Sequence, residues 1–295
     1  MTAQHNTLAA PPRIAYEDLV KAALREDLGA AGDLTSDAVV PAGARAVAAL
    51  VARRAGTLAG IDPALLAFRL LDDGVVVERE RNDGDRVEAG ATIATVRGSA
   101  RALLAAERTA INILSHLSGI ATLTAAYVAA AAPHAAAIVC TRKTTPGLRA
   151  LEKYAVRAGG GANHRFGLYD AILIKDNHVA IAGGVGQAIR AARAGTGHLV
   201  KVEVEVDDLA QLQVALDARA DVILLDNMSV ETLAEAVRIT AGRARLEASG
   251  SVSLDNVNAI AATGVDLISV GRLTHSAPAL DIGLDFRPGP EGRPA

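Results

Sequence analysis

Lys201-Val202-Glu203-Val204-Glu205-Val206 alternates charge and valine without a break. Successive side chains of a strand point to opposite faces, so Lys201, Glu203 and Glu205 share one face and the valines share the other. An edge strand with one wet face is the commoner source of such a pattern. This stretch instead stands in the middle of an array of alternating strand-like and helix-like segments, where an edge fits poorly. In a parallel barrel the valines would meet the surrounding helices and the charged set would point inward. Charge there is costly unless it is paired or used.

The neighbouring segments support the array. Candidate strands are Ile138–Lys143, Ala171–Lys175, Val200–Val206, Val222–Asp226, Arg245–Ser249 and Leu267–Gly271, with helical stretches between them. Thr145 before Pro146 reads as an N-cap and first helical residue, Gly159 as that helix's end, and Asp207, Ser229 and Ser253 as caps of later helices. Repeated β-α-β units with short connections imply a parallel sheet. Six or seven units over this length suggest a small closed barrel, and the pattern alone also fits an open doubly wound sheet.

Upstream the texture changes. Tyr16–Glu26 reads as a short amphipathic helix, and Arg45–Arg53, Val75–Arg79 and Thr92–Val96 read as strands punctuated by glycine. Asn82–Gly90 is a turn-rich hairpin signal similar to the hairpins of lipoyl and biotinyl carrier domains. Such carriers need a lysine at the tip, and none occurs between Lys21 and Lys143, so shared sheet geometry is the simpler reading. A helical stretch follows from Ala100 to Ala132, with Ile111, Leu114, Leu117 and Leu123 near helical spacing and Arg108 close to its start.

Composition narrows the function. Of 295 residues 51% are hydrophobic but only 2% aromatic, with no Trp, so the core is aliphatic. A formal charge of −3 gives no global basic field for nucleic acid. The single Cys140 excludes an internal disulfide, argues against a cysteine zinc site and suits a reducing, cytoplasmic location. Met1–Pro12 lacks the pattern of a secretory signal and reads as a loose tail. Apolar runs such as Ala125–Ala132 are short for a membrane span.

The strand ends carry the chemistry. They finish in Thr141-Arg142-Lys143, Lys175-Asp176-Asn177, Glu203-Val204-Glu205, Asp226-Asn227, Ser249-Gly250-Ser251 and Gly271-Arg272. In a parallel barrel these ends lie on one face, and that face carries the site. Arg108, Arg142, Lys143, Arg165 and Lys175, with His164, form a cationic set suited to a substrate with several negative charges. Taken singly each is more often a surface cation, and His164 more often structural. The two small-residue turns suit a phosphate, because backbone N–H groups can approach it closely. Glu205 and Asp226 could hold ribose hydroxyls, hold Mg²⁺ through water, or stabilise developing positive charge.

Thr141-Arg142-Lys143-Thr144-Thr145-Pro146-Gly147-Leu148-Arg149, Gly161–Arg165 and Ile174–His178 closely resemble the quinolinate phosphoribosyltransferases. Val202–Val206, Leu224–Met228, Glu247–Gly250, Gly271–Ser276, Glu26–Thr35 and Glu107–Gly119 match in order as well, so the resemblance covers nearly the whole chain after the tail. It implies transfer from phosphoribosyl pyrophosphate to quinolinate with loss of carbon dioxide and with Mg²⁺. It also implies an α/β protein: an N-terminal α/β sandwich over 13–118, with 282–295 packing back on it, and an incomplete, seven-stranded β/α barrel over 119–281. A homodimer or hexamer is expected.

By position, Arg142, His164, Arg165 and Lys175 would grip the quinolinate carboxylates, with Arg108 supplied by a neighbouring subunit. Lys143, Glu205 and Asp226 would surround the ribose and its Mg²⁺–pyrophosphate. Thr141 would join the substrate pocket, and Ser249, Gly250, Ser251, Gly271 and Arg272 would cradle the 5′-phosphate, although a small residue is more typical at 272. Lys143, Lys175, Glu205 and Asp226 are the expected catalytic groups. Two alternatives stay open: a related phosphoribosyltransferase with another anionic acceptor, and a Schiff-base aldolase using Lys175.

Overall fold

The computed structural model describes residues 8–287. In chain order the elements are α1 (Glu17–Leu28), α2 (Leu34–Val39), β1 (Arg45–Ala52), β2 (Gly56–Thr57), α3 (Ile61–Leu71), β3 (Val76–Arg79), β4 (Arg86–Val87), β5 (Thr92–Ser99) and α4 (Ala100–Ala131). Then come β6 (Ala137–Val139), α5 (Arg149–Ala158), β7 (Ile172–Ile174), α6 (Asp176–Ala182), α7 (Val185–Ala194), β8 (Val202–Val206) and α8 (Leu209–Asp217). The last are β9 (Val222–Asp226), α9 (Val230–Thr240), β10 (Arg245–Ser249), α10 (Val257–Ala262), β11 (Leu267–Ser269), α11 (Arg272–His275) and β12 (Ile282–Arg287).

They form two compact units. The first takes the residues through Leu123, Thr145–Gly160 and those from Ser276 onward, and the second takes Thr124–Thr144 and Gly161–His275. Thr145–Gly160 and Ser276–Asp281, which the sequence puts in the barrel, thus segregate with the first unit. Hydrogen bonds give the reason for α5. Buried Glu152 takes His116 Nε2 at 2.9 Å, and Tyr154 donates to Asp83 at 2.7 Å. Of the expected tail, residues 1–7 lie outside the described residues, as do 288–295 of the returning C-terminal segment.

The first unit is built on an antiparallel sheet in the order β12-β1-β5-β3. Helices α1 and α3 pack on one another. Val20 and Leu24, one turn apart, bury the inner stripe of α1, while Glu17 and Asp18 suit its positive N-terminal end. Asp33 caps α2 by accepting from Ser36 N at 3.0 Å, which gives the Gly32-Asp33-Leu34-Thr35 motif a structural reason. Gly119 on α4 is obligatory: a Cβ there would sit 2.2 Å from Pro278 O. The turn-rich segment does not pair with itself, because β4 pairs with β2 while β3 pairs with β5.

Tyr154 is buried, and burial followed by the nearby Asp83 carboxylate pushes its phenol above the usual range. It stays a neutral donor. Tyr154→Phe leaves Asp83 with one fewer partner and lowers stability by about 1–3 kcal/mol, read as a shifted urea midpoint at unchanged slope.

The second unit is an α/β sheet of six parallel strands in the order β6-β11-β10-β9-β8-β7. A seventh position is reduced to one parallel bridge between Val139 and Ala162, with Ala162 N donating to Ile138 O at 2.8 Å. Among the described residues no ladder joins that segment to β7, so the barrel is incomplete. Strands β9 and β10 keep the expected bounds, whereas β6 and β11 end early as their chains turn into the mouth. Three caps differ from expectation. Asp208, not Asp207, caps α8 by accepting from Gln211 N. The stretch at Thr145-Pro146 is a turn and α5 starts at Arg149. Ser253 caps nothing with its side chain, since α10 starts at Val257. Ser229 caps α9 and Gly159 ends α5 as read.

Candidate active site

Parallel strands carry their C-terminal ends to one side of the sheet, and there a cavity of about 730 Å³ opens. Every nominated site residue except Arg108 lines it. Arg108 is exposed on α4 of the first unit and is not part of the lining.

Two of the lining cations are neighbours. Arg142 follows β6, and Arg165 follows the Ala162 bridge. Nε of each is buried without a hydrogen-bond partner. Arg165 Nη1 donates to Ala171 O at 3.2 Å, which fixes the fork's orientation. Burial, then the neighbouring Arg142, holds the Arg165 guanidinium below its usual range, against the pull of Glu203 and Asp170. Two guanidiniums kept close with unsatisfied N–H groups make a site for anions, above all for carboxylates.

Lys175 and Glu205 form the side wall. Lys175 sits between β7 and α6, with its ammonium 3.5 Å from Glu205. Burial raises the Glu205 carboxyl, Lys175 opposes that rise, and the Asp226 carboxylate adds to it. Two carboxylates that repel one another across an open mouth are a donor set that suits a hard divalent cation sharing a phosphate. Asp226 is oriented by Asn227, whose Nδ2 donates to Oδ2 at 2.7 Å.

The loops after β10 and β11 contribute backbone to the lining. Gly250 has φ +92°, and a Cβ there would lie 2.1 Å from Asn227 Oδ1. Ser251 follows at φ +48°. A Cβ at Gly271 would meet Lys143 Cδ at 3.1 Å. Thr274 Oγ1 donates to Lys143 O at 2.7 Å, and Lys143 N donates to Thr141 Oγ1 at 3.0 Å, so α11 and the loop after β6 are stitched together. Arg272 opens α11 and is exposed at the rim.

The floor holds a set that sequence reasoning only half found. Glu203 and Glu205 point inward as the alternation requires, but Lys201 lies outside the ladder and pairs with Asp221 at 2.9 Å. His164 Nδ1 accepts from Arg165 N at 2.8 Å, so the ring's proton is on Nε2, which stands 2.8 Å from Glu203 Oε2. Glu247 Oε1 is 3.8 Å from the same nitrogen. His164 thus lines the cavity with both ring nitrogens also engaged inside the protein. Glu247 and Ser269 line the cavity and were not nominated. The signal for Glu247 was a charge in an apolar strand, one pleat before Ser249.

Comparisons with known proteins agree on one family. Residues 33–118 match the family described as quinolinate phosphoribosyl transferase, N-terminal domain, and residues 120–285 match its C-terminal domain. The nicotinate-nucleotide pyrophosphorylase (carboxylating) of Mycobacterium leprae is 50% identical over 277 residues, 92% of this chain and 97% of that protein. A probable nicotinate-nucleotide pyrophosphorylase (carboxylating) of Bacillus subtilis is 46% identical over 261 residues, 88% of this chain and 89% of that one. Among solved structures, NadC from Streptococcus pyogenes superposes with a TM-score of 0.91 at 43% identity, covering 95% of this chain and 99% of that one. The nicotinate-nucleotide pyrophosphorylase from Francisella tularensis also gives 0.91, at 38% identity over 96% of this chain and 100% of its own.

Proposed function

The chain belongs to the quinolinate phosphoribosyl transferase family, and from that premise we propose how its residues divide the reaction. It is a decarboxylating phosphoribosyltransferase of NAD biosynthesis. It takes quinolinate and phosphoribosyl pyrophosphate to nicotinate mononucleotide, pyrophosphate and carbon dioxide.

The observation that carries the assignment is what lines the cavity. Partnerless buried guanidinium nitrogens and glycine-built backbone turns line the same cavity. Arg142, Arg165 and Lys175 hold the two carboxylates of the acceptor. Ser249, Gly250, Ser251 and Gly271 hold the 5′-phosphate with backbone N–H groups, and Lys143 lies over the phosphate end. Glu205 and Asp226 line the same cavity, and their charge stabilises the sugar's anomeric carbon as it turns positive when pyrophosphate departs. The same two residues fit Mg²⁺, which when bound neutralises the pyrophosphate leaving group. No protein nucleophile is needed, and positioning two anions against mutual repulsion is the main contribution. Lys175 serves as a charge beside Glu205 rather than as a Schiff-base amine.

Arg108, exposed on α4, is assigned to the cavity of a second copy in a homodimer or hexamer. Buried Cys140 and the absence of a disulfide suit the cytoplasm. Purified protein with phosphoribosyl pyrophosphate and Mg²⁺ is expected to yield nicotinate mononucleotide from quinolinate and none from nicotinate. Turnover of nicotinate at a comparable rate would remove the dicarboxylate assignment of Arg142 and Arg165.

A further inference from the structure

The reaction leaves a proton to be supplied. Attachment of the ribosyl group makes the ring nitrogen cationic. The bond from C2 to its carboxylate then breaks, the electron pair stays on C2, and carbon dioxide leaves. That carbon must gain a proton to give the product.

Few groups on the cavity wall can give one. The guanidiniums of Arg142 and Arg165 hold their protons too tightly. Lys175 is paired with Glu205, and Lys143 lies against Gly271 at the phosphate end. His164 carries its proton on Nε2, directed at Glu203. His275 stands on the exposed rim beside Gly271. Glu247 differs from all of these. It lines the cavity, is 1% exposed, and its Oε1 is buried without a hydrogen-bond partner. Its one basic neighbour is His164, whose Nε2 is 3.8 Å away and closer to Glu203. The groups facing it are Glu203 from β8, His164 from the segment after the bridge, and the Ser269 hydroxyl of β11. Strand β9 offers Leu224 opposite it, and β11 offers Leu267.

We propose that Glu247 is the acid that protonates C2 after carbon dioxide has left, a role that rests on the decarboxylating transfer described above. The carboxyl O–H bond breaks, the C2–H bond forms, and Glu247 is left as a carboxylate. It regains a proton from water entering the emptied cavity before the next turnover. Its surroundings keep it ready. Burial, and then the Glu203 carboxylate, push the Glu247 carboxyl up to about 7, with His164 and Ser269 opposing, so much of it is protonated near neutral pH.

The test compares wild type with Glu247→Gln in quinolinate, phosphoribosyl pyrophosphate, Mg²⁺ and ¹³C-bicarbonate. The variant is expected to lose roughly 10²- to 10⁴-fold in kcat, the usual contribution of a general acid, with both KM values little changed. Its C2 carbanion waits longer, so it recaptures labelled carbon dioxide, and ¹³C incorporation into recovered quinolinate or its mononucleotide rises relative to net turnover. In Glu203→Gln, which keeps Glu247, the alkaline fall of kcat should move to lower pH because a neighbouring negative charge is gone. A Glu247→Gln enzyme with wild-type kcat overturns the role. So does a loss of kcat without increased ¹³C exchange, or an alkaline limb that Glu203→Gln leaves in place. A wild-type protein inert toward quinolinate but folded removes the decarboxylating reading itself, and the acid role with it.

Discussion

Arg142→Ala is expected to lower kcat/KM for quinolinate by roughly 30- to 5,000-fold, the equivalent of losing one partner of a buried charge pair at about 2–5 kcal/mol. Arg142 Nε is buried with no protein partner, so the fork is spent on nothing else. Removing it also leaves Arg165 as the remaining lining arginine with a buried, partnerless Nε. The loss should fall on quinolinate, with the KM for phosphoribosyl pyrophosphate nearly unchanged. Arg142→Lys keeps a charge but not the planar fork and should recover only part of the loss. Thermal unfolding near the wild-type midpoint would show that both variants fold. A folded Arg142→Ala enzyme with near-wild-type kinetics would take this residue out of the acceptor site.

Gly250→Ala should strike the other substrate. The residue has φ +92°, and its new methyl would fall 2.1 Å from Asn227 Oδ1 and 3.0 Å from Asn227 N. Neither the backbone angle nor the space tolerates it, so the turn must shift. Strain of about 1–3 kcal/mol moves the N–H groups proposed for the phosphate, which predicts roughly 5- to 150-fold weaker binding of phosphoribosyl pyrophosphate. Binding of quinolinate alone, followed by calorimetry, should be spared. Equal weakening of both ligands would mean that the cavity as a whole had collapsed. Asn227 itself has φ +52°, and its N donates to Ser249 O at 2.9 Å, so the two left-handed turns brace one another across β9 and β10.

The alternation in 202–206 was legible because it depends only on the pleat and on the strand being central. Lys201 broke the pattern because the ladder begins at Val202, and Asp221, at the opening of β9, captures both Val202 N and the lysine. Strand ends were legible as a set because apolar runs stop abruptly at charged residues. Caps were less so. Asp207 and Asp208 are chemically equivalent neighbours, and only the extended backbone at 208 decides between them. At Thr145 the hydrogen bond runs the other way from an N-cap: Thr145 N donates to Glu152 Oε2 at 3.1 Å. The engagement of His164 by Glu203 and Glu247 was not legible, because those partners come from strands far apart in the chain. Glu247 escaped notice for the same reason. Its character is set by Glu203, His164 and Ser269, and none of these is its neighbour in sequence.

The pairing of β12 with β1 bears on how the chain is made. Arg53 and Asp285, joined by a side-chain bond at that seam, are 232 positions apart. Leu50 and Ala52 lie opposite Leu284 and Ile282. During translation β1 and β5 can pair early, yet one margin of their sheet stays uncovered until β12 has left the ribosome, after the whole parallel ladder. An unpaired strand margin invites another nascent chain. Residues 201–275 can assemble their ladder meanwhile, so the part that emerges first is the part that finishes last.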